Sequence, residues 1–152
     1  MVEVGEQAPD VALLLAGGTE RLSALTGKPL VLYFYPKDDT PGCTREAQDF
    51  TGLAPEFAKA GVRIIGVSKD SAKRHAKFAD KYELAVDLAA DESGAVCEAF
   101  GVWVEKSLYG RQYMGIARAT FLIGADGRIA QIWRKVKVAG HADAVLAAAK
   151  AL

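Results

Sequence analysis

Two cysteines and two histidines are all that these 152 residues contain of the side chains most used for cross-links and metal sites. Cys43 and Cys97 are too few for a disulfide framework in a chain of this length. His75 and His141 stand apart from each other, and no short Cys/His spacing occurs, so a zinc-type ligand set is not expected and both histidines read as surface residues. Neither sign of charge is in excess: 19 Lys and Arg face 19 Asp and Glu, which excludes a global field favouring nucleic acid or an anionic membrane. No apolar run approaches the ~18 residues of a membrane span. The start, Met1-Val2-Glu3-Val4-Gly5-Glu6, is acidic and lacks the basic and apolar regions of a signal peptide, so a cytoplasmic location is expected. Internal repeats and low-complexity linkers are also missing. One domain over residues 1–152 is expected, large enough for a sizeable core.

What is present is an alternation of strand-like and helix-like segments. Val11 to Leu15 and Arg21 to Leu22 bracket Gly17-Gly18 as an N-terminal hairpin. Leu30 to Tyr35 and Val62 to Val67 read as buried strands. A helix is expected from about Pro41 to Ala60, with Pro41 in its first turn and a kink or break near Gly52 and Pro55. Ser68-Lys69-Asp70-Ser71 offers caps for a second helix through about Tyr82, with Lys73, Arg74, Lys77, Asp80 and Lys81 on its solvated face. A short strand near Leu84 to Val86 and a helix from Ser93 to Phe100 come next. Thr120 to Ile123 and Arg128 to Trp133 flank the turn Ala125-Asp126-Gly127, and an Ala-rich helix closes the chain from His141. This order predicts an α/β fold: a central mixed sheet flanked by helices, thioredoxin-like, with an N-terminal hairpin extension. A flavodoxin-like sheet competes, but the late hairpin gives adjacent antiparallel strands that an all-parallel sheet lacks.

The chemistry concentrates at Thr40-Pro41-Gly42-Cys43-Thr44, between the first central strand and its helix. A cysteine there lies in the first turn, where free backbone N–H groups and the helix dipole favour the nucleophilic thiolate. The bland alternative is a small buried hydrophobe. Cys43 is followed by Thr44, Arg45 and Glu46, so there is no Cys-x-x-Cys for simple disulfide exchange. Asp38-Asp39-Thr40 lacks the Asp-x-Asp-x-Thr spacing of a phosphatase, and Gly17-Gly18 does not make a phosphate loop.

The frame Pro36-x-x-x-Thr40-x-x-Cys43 resembles the active-site motif of peroxiredoxins, thiol peroxidases that reduce hydroperoxides. The stretch from Tyr33 to Glu46, YFYPKDDTPGCTRE, is similar to the bacterioferritin comigratory protein, or peroxiredoxin Q, subfamily. The likeness continues through Gly66-Val67-Ser68-Lys69-Asp70-Ser71, Phe100-Gly101-Val102-Trp103 and Gly115-Ile116-Ala117-Arg118. It implies Cys43 as nucleophile, Thr40 as hydroxyl partner of the thiolate or peroxide, and Pro36 as a loop stiffener that shields the site. It also implies Arg118, brought from a distant strand, as the cation over sulfur and peroxide, and Glu46 as the residue that orients it. Spacing alone does not single out Arg118. Trp103 and Trp133 read as packing residues.

Many members of that subfamily carry a resolving cysteine five residues after the nucleophile, where this chain has Gln48. A one-cysteine cycle is therefore expected, through a sulfenic acid that an external thiol such as thioredoxin or glutaredoxin reduces. The resemblance also implies a hydroperoxide substrate, no metal, haem or flavin, and a monomer. Cys97 is expected to be an inert thiol in an apolar helix, with a resolving role, within the chain or between chains, as the alternative. A peroxide-sensing switch or chaperone-like binding protein would use the same Cys43 without turnover.

Overall fold

The computed structural model describes residues 2–152; Met1, the first residue of the acidic start, lies outside them. Its centre is β3 (Leu30–Phe34), a strand in which all five residues are buried. Burial on both faces explains why its sequence is a continuous apolar run rather than an alternation. β3 pairs parallel with β4 (Arg63–Ser68) and antiparallel with β8 (Ala119–Ile123). β5 (Asp87–Ala90) adds parallel to β4, and the hairpin of β1 (Ala12–Leu15) and β2 (Gly18–Arg21) joins beyond it. β9 (Ile129–Trp133) closes the other edge against β8 across the expected turn, where Gly127 adopts a φ of +81°. The order is β2-β1-β5-β4-β3-β8-β9, a mixed sheet that leads with the predicted N-terminal hairpin.

Alternate residues of β3 divide the core. Leu30, Leu32 and Phe34 pack with Ile65, Val67, Phe121 and Cys97 on one face. Val31, Tyr33 and Tyr35 pack on the other with Cys43, Ala47, Phe50 and Phe57 of α1 (Pro41–Lys59), Phe78 of α2 (Ala72–Tyr82) and Val145 of α4 (His141–Lys150). The Cys97 face is covered instead by α3 (Ala95–Ala99) and by Leu22 of the 3-10 turn Leu22–Leu25.

Several local expectations change. α1 does not break: it runs unbroken through Gly52 and Pro55. Both residues are exposed, while Phe50 and Phe57 hold the helix to the sheet on the other side. The strand expected at Leu84 to Val86 forms at Asp87–Ala90, because Leu84 and Ala85 give their N–H groups to the Ala79 carbonyl and the Thr51 hydroxyl. Unforeseen altogether is a separate hairpin of β6 (Trp103–Leu108) and β7 (Arg111–Ile116), mostly exposed and without apolar alternation. Its two-residue turn, Tyr109-Gly110, has both φ angles positive, and Gly110 was the one legible signal. Among the described residues, no helix is long and apolar enough to cross a membrane.

Candidate active site

Cys43 is the third residue of α1, 2% exposed and facing the sheet. The helical ladder begins with the Thr44 N–H on the Thr40 carbonyl at 2.8 Å, so the N–H groups of Gly42 and Cys43 precede it at the positive end of a 19-residue helix. Arg118 stands in the two-residue link between β7 and β8, beside the strand rather than within it. Its Nη2 donates to Cys43 Sγ at 3.2 Å and its Nη1 to Glu46 Oε1 at 2.6 Å. Cys43 and Glu46 are three residues apart on α1, so both project to the same side and the planar guanidinium spans them. A side chain at Gly42 would put its Cβ 3.3 Å from Arg118 Nη2; glycine there lets the cation descend onto the sulfur.

Glu46 is 1% exposed, and its Oε2 has no hydrogen-bond partner among the described residues. Burial pushes its carboxyl up to about 7, against the opposing pull of the Arg118 charge. Burial works against charge on Arg118 as well, but Glu46 and Cys43 more than offset it and hold the guanidinium above its ordinary value. The cation over the sulfur is thus a settled charge. Lys106 of β6 feels it: burial first, and then Arg118, lower its ammonium below the usual lysine value.

Thr40 is the N-cap residue of α1, half-buried, but its side chain caps no helical N–H. Its hydroxyl donates to the Lys37 carbonyl at 2.8 Å and not to Cys43 Sγ, one of its two expected partners. Pro36 is exposed at the start of that loop. Gln48 points to solvent. Cys97 lies across the sheet, fully buried, with its own N–H and that of Val96 bound by Asp91 at 2.9 and 3.1 Å. Burial, and then the Asp91 carboxylate, raise its thiol far above the ordinary cysteine range.

Both histidines depart from expectation. His75 is 4% exposed and His141 7%. His141 opens α4 with Nε2 2.8 Å from Thr120 Oγ1 and its ring against Phe50 and Trp133. Burial, helped by the Arg118 charge, lowers it to about 4, so it stays neutral near pH 7. His75, Asp38 and Asp70 form a cluster of potential metal ligands that the sequence reading did not foresee. Their donor atoms are engaged with one another and with their neighbours. A period of three or four along α2 from the buried Phe78 would have placed His75 inward.

A thiol in the first turn of a helix, under an arginine that a buried glutamate holds, on a mixed α/β sheet, defines a cysteine-dependent redox site of thioredoxin-like architecture. Residues 4–132 match the AhpC/TSA family. Peroxiredoxin Bcp of Xanthomonas campestris is 57% identical over 143 residues, spanning 93% of this chain and 89% of that one. Peroxiredoxin Bcp of Bacillus subtilis is 50% identical over 141 residues, 92% and 90% of the two chains. Among solved structures, the Xanthomonas campestris bacterioferritin comigratory protein, studied for alkyl peroxide reduction in trapped intermediate and ligand complexes, superposes with a TM-score of 0.91 at 52% identity, covering 98% of each chain. Mycobacterium tuberculosis BcpB does so with a TM-score of 0.87 at 35% identity, covering 100% of this chain and 99% of that one. The chain belongs to the AhpC/TSA family, and within it to the thioredoxin-fold peroxiredoxins of the Bcp or PrxQ type, which are thiol-dependent peroxidases.

Proposed function

We propose that this peroxidase works as a single domain and a monomer, with Cys43 as its one essential thiol. The observation that carries the reading is the Arg118 guanidinium, hydrogen-bonded at once to Cys43 Sγ and to buried Glu46 at the start of α1. The Cys43 thiolate attacks one oxygen of a hydroperoxide. An S–O bond forms as the O–O bond breaks, sulfur loses two electrons, and the departing oxygen takes a proton to leave as water or alcohol. Arg118 and the first-turn N–H groups stabilise the negative charge that moves from sulfur to the leaving oxygen. Thr40, whose proton already goes to Lys37, keeps its lone pairs to accept from the peroxide O–H. Pro36 stiffens the loop. The substrates are hydrogen peroxide and small organic hydroperoxides; the alkyl peroxide reduction of the Xanthomonas campestris relative supports the second class.

The sulfenic acid at Cys43 is recycled by an external thiol, either a thioredoxin or glutaredoxin or a small thiol. That thiol attacks the sulfur, water leaves, and a second thiol releases Cys43 from the mixed disulfide. Gln48 cannot resolve it, and Cys97 packs with the opposite face of the sheet from Cys43. The test is to treat reduced protein with one equivalent of hydrogen peroxide, trap free thiols and sulfenic acid, and map peptide masses. Sulfenic acid at Cys43 with Cys97 still free is the expected result, passing to sulfinic acid with excess peroxide. A Cys43–Cys97 peptide within one chain overturns the one-cysteine cycle; the same linkage between chains overturns the monomer as well.

A further inference from the structure

The segment Gly66 to Ser71 resembles the family, yet the peroxide chemistry above uses none of it. The structure ties its end, together with His75, into a buried network beneath the loop that leads to Cys43. Ser68 Oγ donates to Asp70 Oδ2 at 2.6 Å, and the same oxygen accepts the backbone N–H of Asp38 at 2.8 Å. Arg74 Nε lies 3.1 Å from the other Asp70 oxygen. The Asp38 carboxylate, 3% exposed, takes the Tyr35 hydroxyl on Oδ1 at 2.6 Å and faces His75 Nδ1 with Oδ2 at 2.6 Å. His75 Nε2 meets the Ala89 carbonyl of β5 at 3.0 Å.

A carbonyl only accepts, so Nε2 carries a proton, and one more proton lies between Nδ1 and Asp38. Both nitrogens of His75 are thus spoken for, one by β5 and one by the loop. Next in the loop, Asp39 has a φ of +58°, uncommon for a residue with a side chain, and is held there by Lys81 and Tyr82 of the same helix. Thr40 follows. The loop backbone that leads to Thr40 is therefore clamped to α2 at two consecutive residues, and the buried clamp is His75 on Asp38.

We infer that His75 is a positioning residue for the peroxidase reaction: acting through Asp38, it sets the loop that places Thr40 against the peroxide. The inference rests on the proposed roles of Cys43 and Thr40. It predicts a loss specific to peroxide, because Arg118, Glu46 and Cys43 are held by α1 and the β7–β8 link and do not touch the network.

The two imidazole nitrogens can be replaced one at a time. Asparagine puts an amide N–H near the place of Nδ1, and glutamine near that of Nε2. In a Cys97→Ser background, two rates of Cys43 are measured: oxidation by hydrogen peroxide and alkylation by iodoacetamide. His75→Gln, which keeps the Ala89 bond and loses Asp38, is expected to slow peroxide by at least about tenfold while alkylation changes less than about threefold. His75→Asn, which keeps Asp38, should return the peroxide rate to within about threefold of wild type. With Asp38→Ala present, His75→Gln should slow peroxide no further. If His75→Gln does not fold, Asp38→Ala, which cuts the link from the other end, takes its place in both measurements. A wild-type peroxide rate in the cut variant, equal loss in His75→Asn and His75→Gln, or parallel changes in both rates would overturn the inference. Cys43→Ser in the same peroxide assay separates the readings. Consumption surviving in that variant removes the Cys43 assignment; none there, with a wild-type rate in His75→Gln, removes only the role of His75.

Discussion

Cys43 and Cys97 are almost equally hidden, at 2% and 0% exposure, but the charges beside them have opposite signs. Cys43 sits at the positive end of a long helix with a guanidinium 3.2 Å from its sulfur; its nearby carboxylate, Glu46, reaches it only through that guanidinium. Cys97 sits in a five-residue helix where the Asp91 carboxylate already takes the N–H groups of Val96 and Cys97, and that carboxylate acts directly against a thiolate. Burial therefore does not tell the two thiols of this protein apart. What separates them is whether buried charge reaches the sulfur as a cation or as an anion.

The sharpest way to break this contrast is to exchange sulfur for oxygen on each face. Cys43→Ser should lower peroxide consumption by at least about a thousandfold with the fold retained, because a hydroxyl stays protonated at neutral pH. Cys97→Ser should leave turnover with an external thiol within about twofold. A turnover assay beside far-ultraviolet circular dichroism reads both, and comparable losses in the two variants would erase the distinction.

A smaller effect is expected from the groups around Cys43. Arg118→Met removes the cation but keeps most of the length, and Thr40→Val removes a hydroxyl but keeps the shape. Each should lower the second-order rate with peroxide by about tenfold or more, equivalent to roughly 1.4 kcal/mol of transition-state stabilisation. Stopped-flow oxidation measures it. A near-wild-type rate for Arg118→Met would mean that charge is not what distinguishes the two faces.

A different readout, stability against pH, tests the carboxylate behind Arg118. The folded state holds the Glu46 proton up to about 7, against an ordinary value of 4.5. The stability it contributes is full below pH 4.5 and is lost as pH rises through 7. His141 runs the other way: lowered from 6.5 to about 4, its contribution is present above 6.5 and lost as pH falls through 4. Glu46→Gln should remove the first slope and leave the second. Measured against wild type, its unfolding temperature should then gain a few degrees between pH 5 and 7.5, corresponding to on the order of 2 kcal/mol. Identical profiles would show that Arg118 keeps Glu46 ionised throughout, the same charge state as a surface carboxylate.

Much of this protein is written in short stretches of sequence. The unbroken apolar run of β3, the Thr40-Pro41-Gly42-Cys43 entry to α1, the Ser71 cap of α2 and the turn at Gly127 each depend on neighbours within a few residues, so each is legible from the chain alone. The resemblance carried by those stretches extended the reading to Arg118, 75 residues from Cys43, which no periodicity reaches. Tertiary structure decided what depends on contacts between distant segments. It kept α1 whole across Pro55, because Phe50 and Phe57 bind the helix to the sheet. It turned both histidines inward, where Asp38 and Thr120 partner them, although each looks isolated in sequence. It also set Cys97 on the face of the sheet opposite Cys43, since the side of the sheet a crossover helix covers depends on how the whole chain winds around the sheet, and no local residue pattern encodes that.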